Sequence, residues 1–201
     1  MSDITAFVLA GGRSTRMGTD KALLPFAGLT LLERALRTAS AVAASTVIVG
    51  AAEKYAAFGK VVEDVYTGCG PLGGIHAALS TTQTAWNLIL SVDLPRMTSE
   101  FLEWLAREAY AAKELIVVPN ALGGLQPLCA IYKRNVLAAV EQALNNGDYK
   151  IGHLFSVVPT RQIAEGEIIS AGFSAEVFRN INTAADYQAL GETIAGSTRE
   201  E

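Results

Sequence analysis

Leu9-Ala10-Gly11-Gly12-Arg13-Ser14-Thr15-Arg16-Met17-Gly18-Thr19-Asp20-Lys21 decides the fold of this 201-residue chain. Ahead of it, the apolar run Ile4–Leu9 reads as a buried strand, and the Gly11-Gly12 pair ends that strand. Arg13, Arg16 and Lys21 then bring positive charge to the same short segment. Glycines let backbone N–H groups approach an anion closely, and cations neutralise it. A strand running into such a loop predicts a phosphate site.

The spacing excludes two familiar phosphate loops. G-x-G-x-x-G fails because Gly11 and Gly12 are adjacent and the next glycine is Gly18. The Walker pattern fails because no Gly-Lys-Ser/Thr occurs. By itself a Gly-Gly pair after a strand also fits a plain tight turn.

Half of the residues are hydrophobic and 18% are charged, enough apolar material for a sizeable core. The formal charge of −4 argues against non-specific nucleic-acid binding, so the cation cluster points to a small anion. Cys69 and Cys129 have no zinc-type spacing and fit a reducing compartment. The N-terminus carries no basic stretch of a signal peptide, and no apolar run approaches the ~20 residues of a membrane span. The expectation is a cytoplasmic protein with neither membrane nor nucleic-acid partners.

Farther along, β-rich runs alternate with helical patterns. Strands are expected at Thr46–Val49, Val61–Val62, Asn87–Val92, Leu115–Val118 (closed by Pro119) and Leu128–Tyr132. Helices are expected at Leu31–Ala44, Glu53–Phe58, Gly73–Thr81, Thr98/Ser99–Ala112, Asn135–Leu144 and Thr183–Ile194. Ile151–Val158 fits helix or strand. Such alternation implies an α/β chain: one mostly parallel sheet covered on both faces, a three-layer sandwich. One domain is expected over residues 1–195, with a polar tail at 196–201.

Ligands of such sheets bind outside the carboxyl ends of strands. Asp93 follows Leu88–Val92 directly, which suits a divalent cation; a turn or helix-cap aspartate before Pro95 is the plainer alternative for the residue taken alone. Gly68-Cys69-Gly70-Pro71-Leu72-Gly73-Gly74 opens a helix and offers N–H groups to an anion or a base edge; a tight loop with a rigid proline is the alternative. Asp64 lies just upstream. His76 and His153 lie in no motif, and no G-x-S-x-G elbow is present.

The opening string resembles the L-A-G-G-x-S-x-R-M-G-x-D-K signature of the nucleotidyltransferases, especially the branch that includes molybdenum cofactor guanylyltransferase. Asp93 with Pro95, Gly70–Gly74, Gln126-Pro127-Leu128-Cys129-Ala130-Ile131-Tyr132 and Phe178-Arg179-Asn180-Ile181-Asn182-Thr183 resemble further motifs of that family, in order, from residue 8 to residue 187. The resemblance implies a Rossmann-like nucleotidyltransferase fold. It also implies that Leu9, Ala10, Gly11, Gly12, Lys21, Asp64 and Asp93 hold a nucleoside triphosphate, with Arg16 and Lys21 on its phosphates. Asp93 would bind Mg²⁺. Arg16, Lys21 and Asp93 would serve catalysis, and Gln126, Asn180 and Asn182 would face the acceptor.

The reaction so implied transfers GMP from GTP to the phosphate of molybdopterin and releases pyrophosphate. Transient contact with molybdenum-insertion proteins and acceptor apoenzymes follows from the same resemblance. In one place the chain departs from the family. Guanylyltransferases often carry an asparagine after the second strand, where this chain reads Gly50-Ala51-Ala52. A CTP-dependent cytidylyltransferase, a sugar-phosphate nucleotidyltransferase and a non-catalytic nucleotide-binding module remain alternatives.

Overall fold

Alternating side chains of the first strand are divided between two cores, and that division organises the molecule. A computed structural model describes residues 3–11, 20–181, 183, 186 and 187. Strand β1 (Ile4–Leu9) sends Ile4, Ala6 and Val8 to one face and Phe7 and Leu9 to the other. Both faces of such a strand are dry, so its sequence is apolar but for Thr5.

The remaining strands are β2 (Pro25–Phe26), β3 (Leu29–Thr30), β4 (Ser45–Val49), β5 (Val61–Val62), β6 (Trp86–Ser91), β7 (Ile116–Ala121), β8 (Gly124–Leu125), β9 (Cys129–Lys133) and β10 (Thr160–Ala164). The helices are α1 (Leu31–Ala39), α2 (Ala52–Tyr55), α3 (Pro71–Thr81), α4 (Ser99–Ala111), α5 (Leu137–Asn145), α6 (Ile151–Val157) and α7 (Glu165–Ser170). Among the described residues the main sheet runs β10-β7-β9-β6-β1-β4-β5, with β8 beside β7, and β2–β3 forms a separate hairpin. Strands β5, β4, β1 and β6 are mutually parallel, as are β7 and β10; β9 runs antiparallel to both its neighbours. The sheet is therefore mixed but mostly parallel.

On one face α1, α4 and α7 pack through Leu32, Phe101, Leu105 and Ile168; on the other α3, α5 and α6 pack through Ile75, Leu79, Val140 and Leu154. Each fully buried side chain of this size stabilises the fold by roughly 1.5–3 kcal/mol relative to exposure. Local chemistry sets the helix starts. Thr30 and Glu33 form a capping box on α1, and the Thr98 hydroxyl accepts from the Phe101 N–H at 3.2 Å on α4. Among the described residues no helix is long and apolar enough to cross a membrane.

Several expected boundaries shift. Helix α1 stops at Ala39 rather than Ala44, because the chain turns there to return to β4, with the Val42 N–H bonded to the Ala39 carbonyl at 3.2 Å. Helix α3 begins at Pro71, not Gly73: Pro71 takes the first turn, where its missing N–H costs nothing, and Gly70 enters it at φ 63°. Strand β7 runs through Pro119 to Ala121. Residues 151–157 are helical. The β10–α7 unit went unread because its strand, Thr-Arg-Gln-Ile-Ala, buries only Ile163. Most of Thr183–Ile194, and the tail, lie outside the described residues.

Candidate active site

The carboxyl ends of β1, β4, β5 and β6 open onto one cavity of about 580 Å³. Leu9, Gly11, Val49 and Gly50 line it from the strand ends, Asp64, Thr67, Gly68, Gly70, Pro71 and Gly74 from the second glycine loop, and Ser91 and Leu128 from the far side. Two glycines there answer to close packing. A Cβ on Gly74 would sit 3.1 Å from Leu9 Cδ2. One on Gly73 would sit 2.4 Å from Asp64 Oδ2, so the bare first turn of α3 is what admits the Asp64 carboxylate. Gly68 and Gly70, at φ 82° and 63°, adopt the left-handed backbone that glycine tolerates.

Asp64 Oδ1 accepts the Tyr66 N–H at 2.7 Å, yet burial pushes the carboxyl above its ordinary value, with the Tyr66 bond opposing. The resulting wall is mostly apolar and glycine-rich with one carboxylate. That arrangement suits the flat base and sugar of a nucleotide better than bare phosphate.

Charge gathers just outside the cavity. Asp93, two residues past Ser91, is paired with Lys21 at Nζ–Oδ2 3.3 Å, and their side chains are 22% and 16% exposed. The short helical turn Lys21–Leu23 holds the lysine, and the preceding Asp20 caps it by accepting the Ala22 N–H at 3.1 Å. The 3.3 Å contact joins residues 72 apart in sequence.

The C-terminal motif arrives at the same place. The Ile181 N–H bonds the Asp93 carbonyl at 3.0 Å, which sets exposed Asn180 beside the strand end. Arg96 and Arg179 share Glu176, at 3.4 Å and 2.7 Å. Gln126 is used differently: its amide nitrogen donates to the Ala121 carbonyl at 2.8 Å and the Gly124 carbonyl at 3.3 Å, fastening the β7–β8 hairpin. Of the expected nucleotide residues, Leu9, Gly11 and Asp64 line the cavity, and Ala10 lies between the first two. Gly12, Arg16 and Asn182 lie outside the described residues. Sequence reading missed Val49, Thr67 and Ser91 as cavity walls, while Gly50 and Leu128 lie in segments that the sequence analysis singles out. Ser91, a polar residue closing an apolar strand two positions before Asp93, carried a local signal.

Among the described residues no three His, Cys, Asp or Glu side chains cluster as a complete metal cage. Asp93 is a lone, partly exposed carboxylate beside a lysine. This fits a hard cation that takes one protein carboxylate and fills its shell with water and substrate phosphate, as Mg²⁺ does.

A mostly parallel sheet with a glycine-walled cavity at the carboxyl ends of its strands defines an α/β site of nucleotide size. Residues 6–163 match the MobA-like NTP transferase domain, and the chain belongs to that family. It is similar to the probable molybdenum cofactor guanylyltransferase of Pelotomaculum thermopropionicum, 31% identical over 92% of this chain and 91% of that protein. The probable molybdenum cofactor guanylyltransferase of Clostridium perfringens is 32% identical over 92% and 95%. Among solved structures, molybdopterin-guanine dinucleotide biosynthesis protein A from Archaeoglobus fulgidus superposes with a TM-score of 0.82 at 26% identity, covering 96% of this chain and 99% of that one.

Proposed function

We propose that this protein transfers GMP from GTP to the terminal phosphate of molybdopterin, forming the guanine dinucleotide cofactor and pyrophosphate. The observation that carries this reading is the Lys21–Asp93 pair at 3.3 Å beside the glycine-walled cavity, in a chain of this family. Base and ribose occupy the cavity between Leu9 and Asp64, and the triphosphate runs toward Lys21.

An oxygen of the acceptor phosphate attacks the α-phosphorus. The bond from that phosphorus to the bridging oxygen breaks, and pyrophosphate carries away the electron pair. A phosphate monoester is already ionised at neutral pH, so the chain needs no general base. The protein's task is to align two anions and neutralise the leaving group. Lys21 and Arg16 supply fixed positive charge on the triphosphate, and Asn180 and Asn182 orient the acceptor. Asp93 would hold Mg²⁺, which supplies further neutralisation of the phosphates when bound. Gln126 supports the acceptor side through the hairpin it fastens. The cofactor's upstream insertion proteins and the apoenzymes that receive it are the expected transient protein partners, met in the cytoplasm.

Pyrophosphate release should be measured with GTP, CTP and ATP in turn, with Mg²⁺ and molybdopterin present. Release with GTP in preference to both others is expected. Preference for CTP would reassign the base, and GTP binding without release from any acceptor would reduce the protein to a nucleotide-binding module.

A further inference from the structure

Tyr55 is 3% exposed, and its hydroxyl reaches three oxygens: Asp20 Oδ2 at 2.9 Å, Asp20 Oδ1 at 3.0 Å and the Ala10 carbonyl at 3.2 Å. These oxygens belong to two separate points of the chain, the residue that follows β1 and the residue that precedes Lys21. A phenol has one proton, and its strongest bond goes to the charged carboxylate. Burial, with Asp20 adding to it, holds the phenol far above its ordinary value, so the proton is always there to donate.

The ring is seated as firmly as the hydroxyl. A Cβ on Gly50 would lie 2.8 Å from Tyr55 Cε2, so the ring fills the space a side chain at residue 50 would need. Asp20, for its part, caps the turn through the Ala22 N–H at 3.1 Å and meets Lys54 at 3.2 Å. The contacts run in series from Tyr55 to Asp20, to the Lys21 turn, and to Asp93.

We propose that Tyr55 is a positioning residue for triphosphate binding: its ring is seated against Gly50, its hydroxyl donates to Asp20, and it thereby sets where Lys21 stands against Asp93. The role rests on the reading of Lys21 and Asp93 given above. Tyr55 touches no substrate; it acts through Asp20. Gly50 is then the condition for the anchor, since any larger residue would displace the ring.

The test is a cycle of Tyr55→Phe, Asp20→Asn and the double variant, read by steady-state kinetics and by calorimetric titration with GTP and Mg²⁺. Tyr55→Phe keeps the ring against Gly50 and removes only the hydroxyl. Expected is a rise in the KM and Kd for GTP of about tenfold, with the KM for molybdopterin unchanged. The double variant should be no weaker than Asp20→Asn alone, because both changes break one series of contacts. A GTP affinity within twofold of wild type overturns the role. So do losses that simply add in the double variant, or a fall in active fraction with both KM values unmoved, which is the mark of a structural tyrosine. Should Tyr55→Phe fold poorly, Asp20→Asn alone must give the same split between the two KM values, and its failure to do so counts against the role. Wild-type protein that binds no GTP overturns the proposed function and this role together; wild type that binds GTP alongside an unaffected Tyr55→Phe overturns this role alone.

Discussion

Strands β1 and β6 carry a polar cluster at each end, and the two clusters are built on opposite principles. At the amino ends Thr5 and Asn87 are register partners; at the carboxyl ends Leu9 and Ser91 are. The amino-end cluster is neutral and closed. Thr84 Oγ1 lies 2.9 Å from Thr5 Oγ1, 3.0 Å from Thr82 Oγ1 and 3.0 Å from the Trp86 carbonyl, and it accepts the Thr5 N–H at 3.2 Å. Asn87, 0% exposed, donates to the Tyr132 carbonyl at 3.3 Å. The carboxyl-end cluster is charged and open, with Asp64 in a cavity wall and Lys21–Asp93 partly exposed. Buried polar groups that satisfy one another pin strands together and leave little for a ligand. Charged groups at the mouth of a cavity retain the capacity to bind.

The sharpest way to break this contrast is to remove the charge. Asp93→Ala should lower pyrophosphate release by about 1,000-fold while leaving the melting temperature nearly unchanged. Turnover near wild type would show that the carboxyl end is not the reacting end.

Gly73→Ala asks whether the cavity wall matters apart from its charge. The added Cβ would meet the Asp64 carboxylate at 2.4 Å, although alanine is the better helix former. A tenfold weaker GTP affinity, on the order of one broken hydrogen bond, is expected by titration. Unchanged affinity would release Asp64 from the site.

The amino end should respond in the opposite currency. Thr84→Val removes the hydroxyl at the centre of the closed network, at a cost of roughly 1–3 kcal/mol in urea unfolding. The folded variant should keep its kcat and its GTP affinity. A kinetic defect without a stability defect would erase the distinction between the two ends.

The smallest effect concerns pH. Burial raises the Asp64 carboxyl above its ordinary 3.8, so the folded chain binds this proton more tightly than the unfolded one. The stability this proton contributes is complete below the unfolded value and is lost as pH rises through the raised folded value. Asp64→Asn, whose amide oxygen still accepts the Tyr66 N–H, carries no such loss. The melting temperature of wild type should therefore fall relative to Asp64→Asn as pH is raised from about 4 to neutrality. A constant gap across that range would place the carboxylate in water rather than in the wall.

Much of this site was legible in the sequence because its pieces are local. The β1 strand was read to the residue, Ile4–Leu9, since a run of six residues, apolar but for Thr5, soon followed by two glycines admits few alternatives. Asp93 was legible as the first acidic residue after an apolar strand. The hairpin role of Gln126 was not, because its amide partners, Ala121 and Gly124, are carbonyls, and every residue type has one. Strand β10 was invisible because an edge strand with one buried side chain shows no period. Tyr55 read as one residue of a short helix; nothing local told that its hydroxyl would lie between residues 10 and 20.

The sequence by itself determined the alternation of strands and helices, the glycines that let backbone turn sharply, and the kinds of charge available. Those are short-range properties, set by side-chain periodicity and by what each residue permits its own backbone. Only the tertiary structure decided which charges meet. Lys21 pairs with Asp93 because parallel β1 and β6 are neighbours and the segments leaving their carboxyl ends converge. Asp64 enters the cavity wall because Gly73, in the first turn of α3, carries no side chain. Gly50 faces an aromatic ring rather than open space because α2 brings Tyr55 back onto the residue that follows β4. Pairings across tens of residues are consequences of strand order, and strand order is chosen by burying two apolar faces at once.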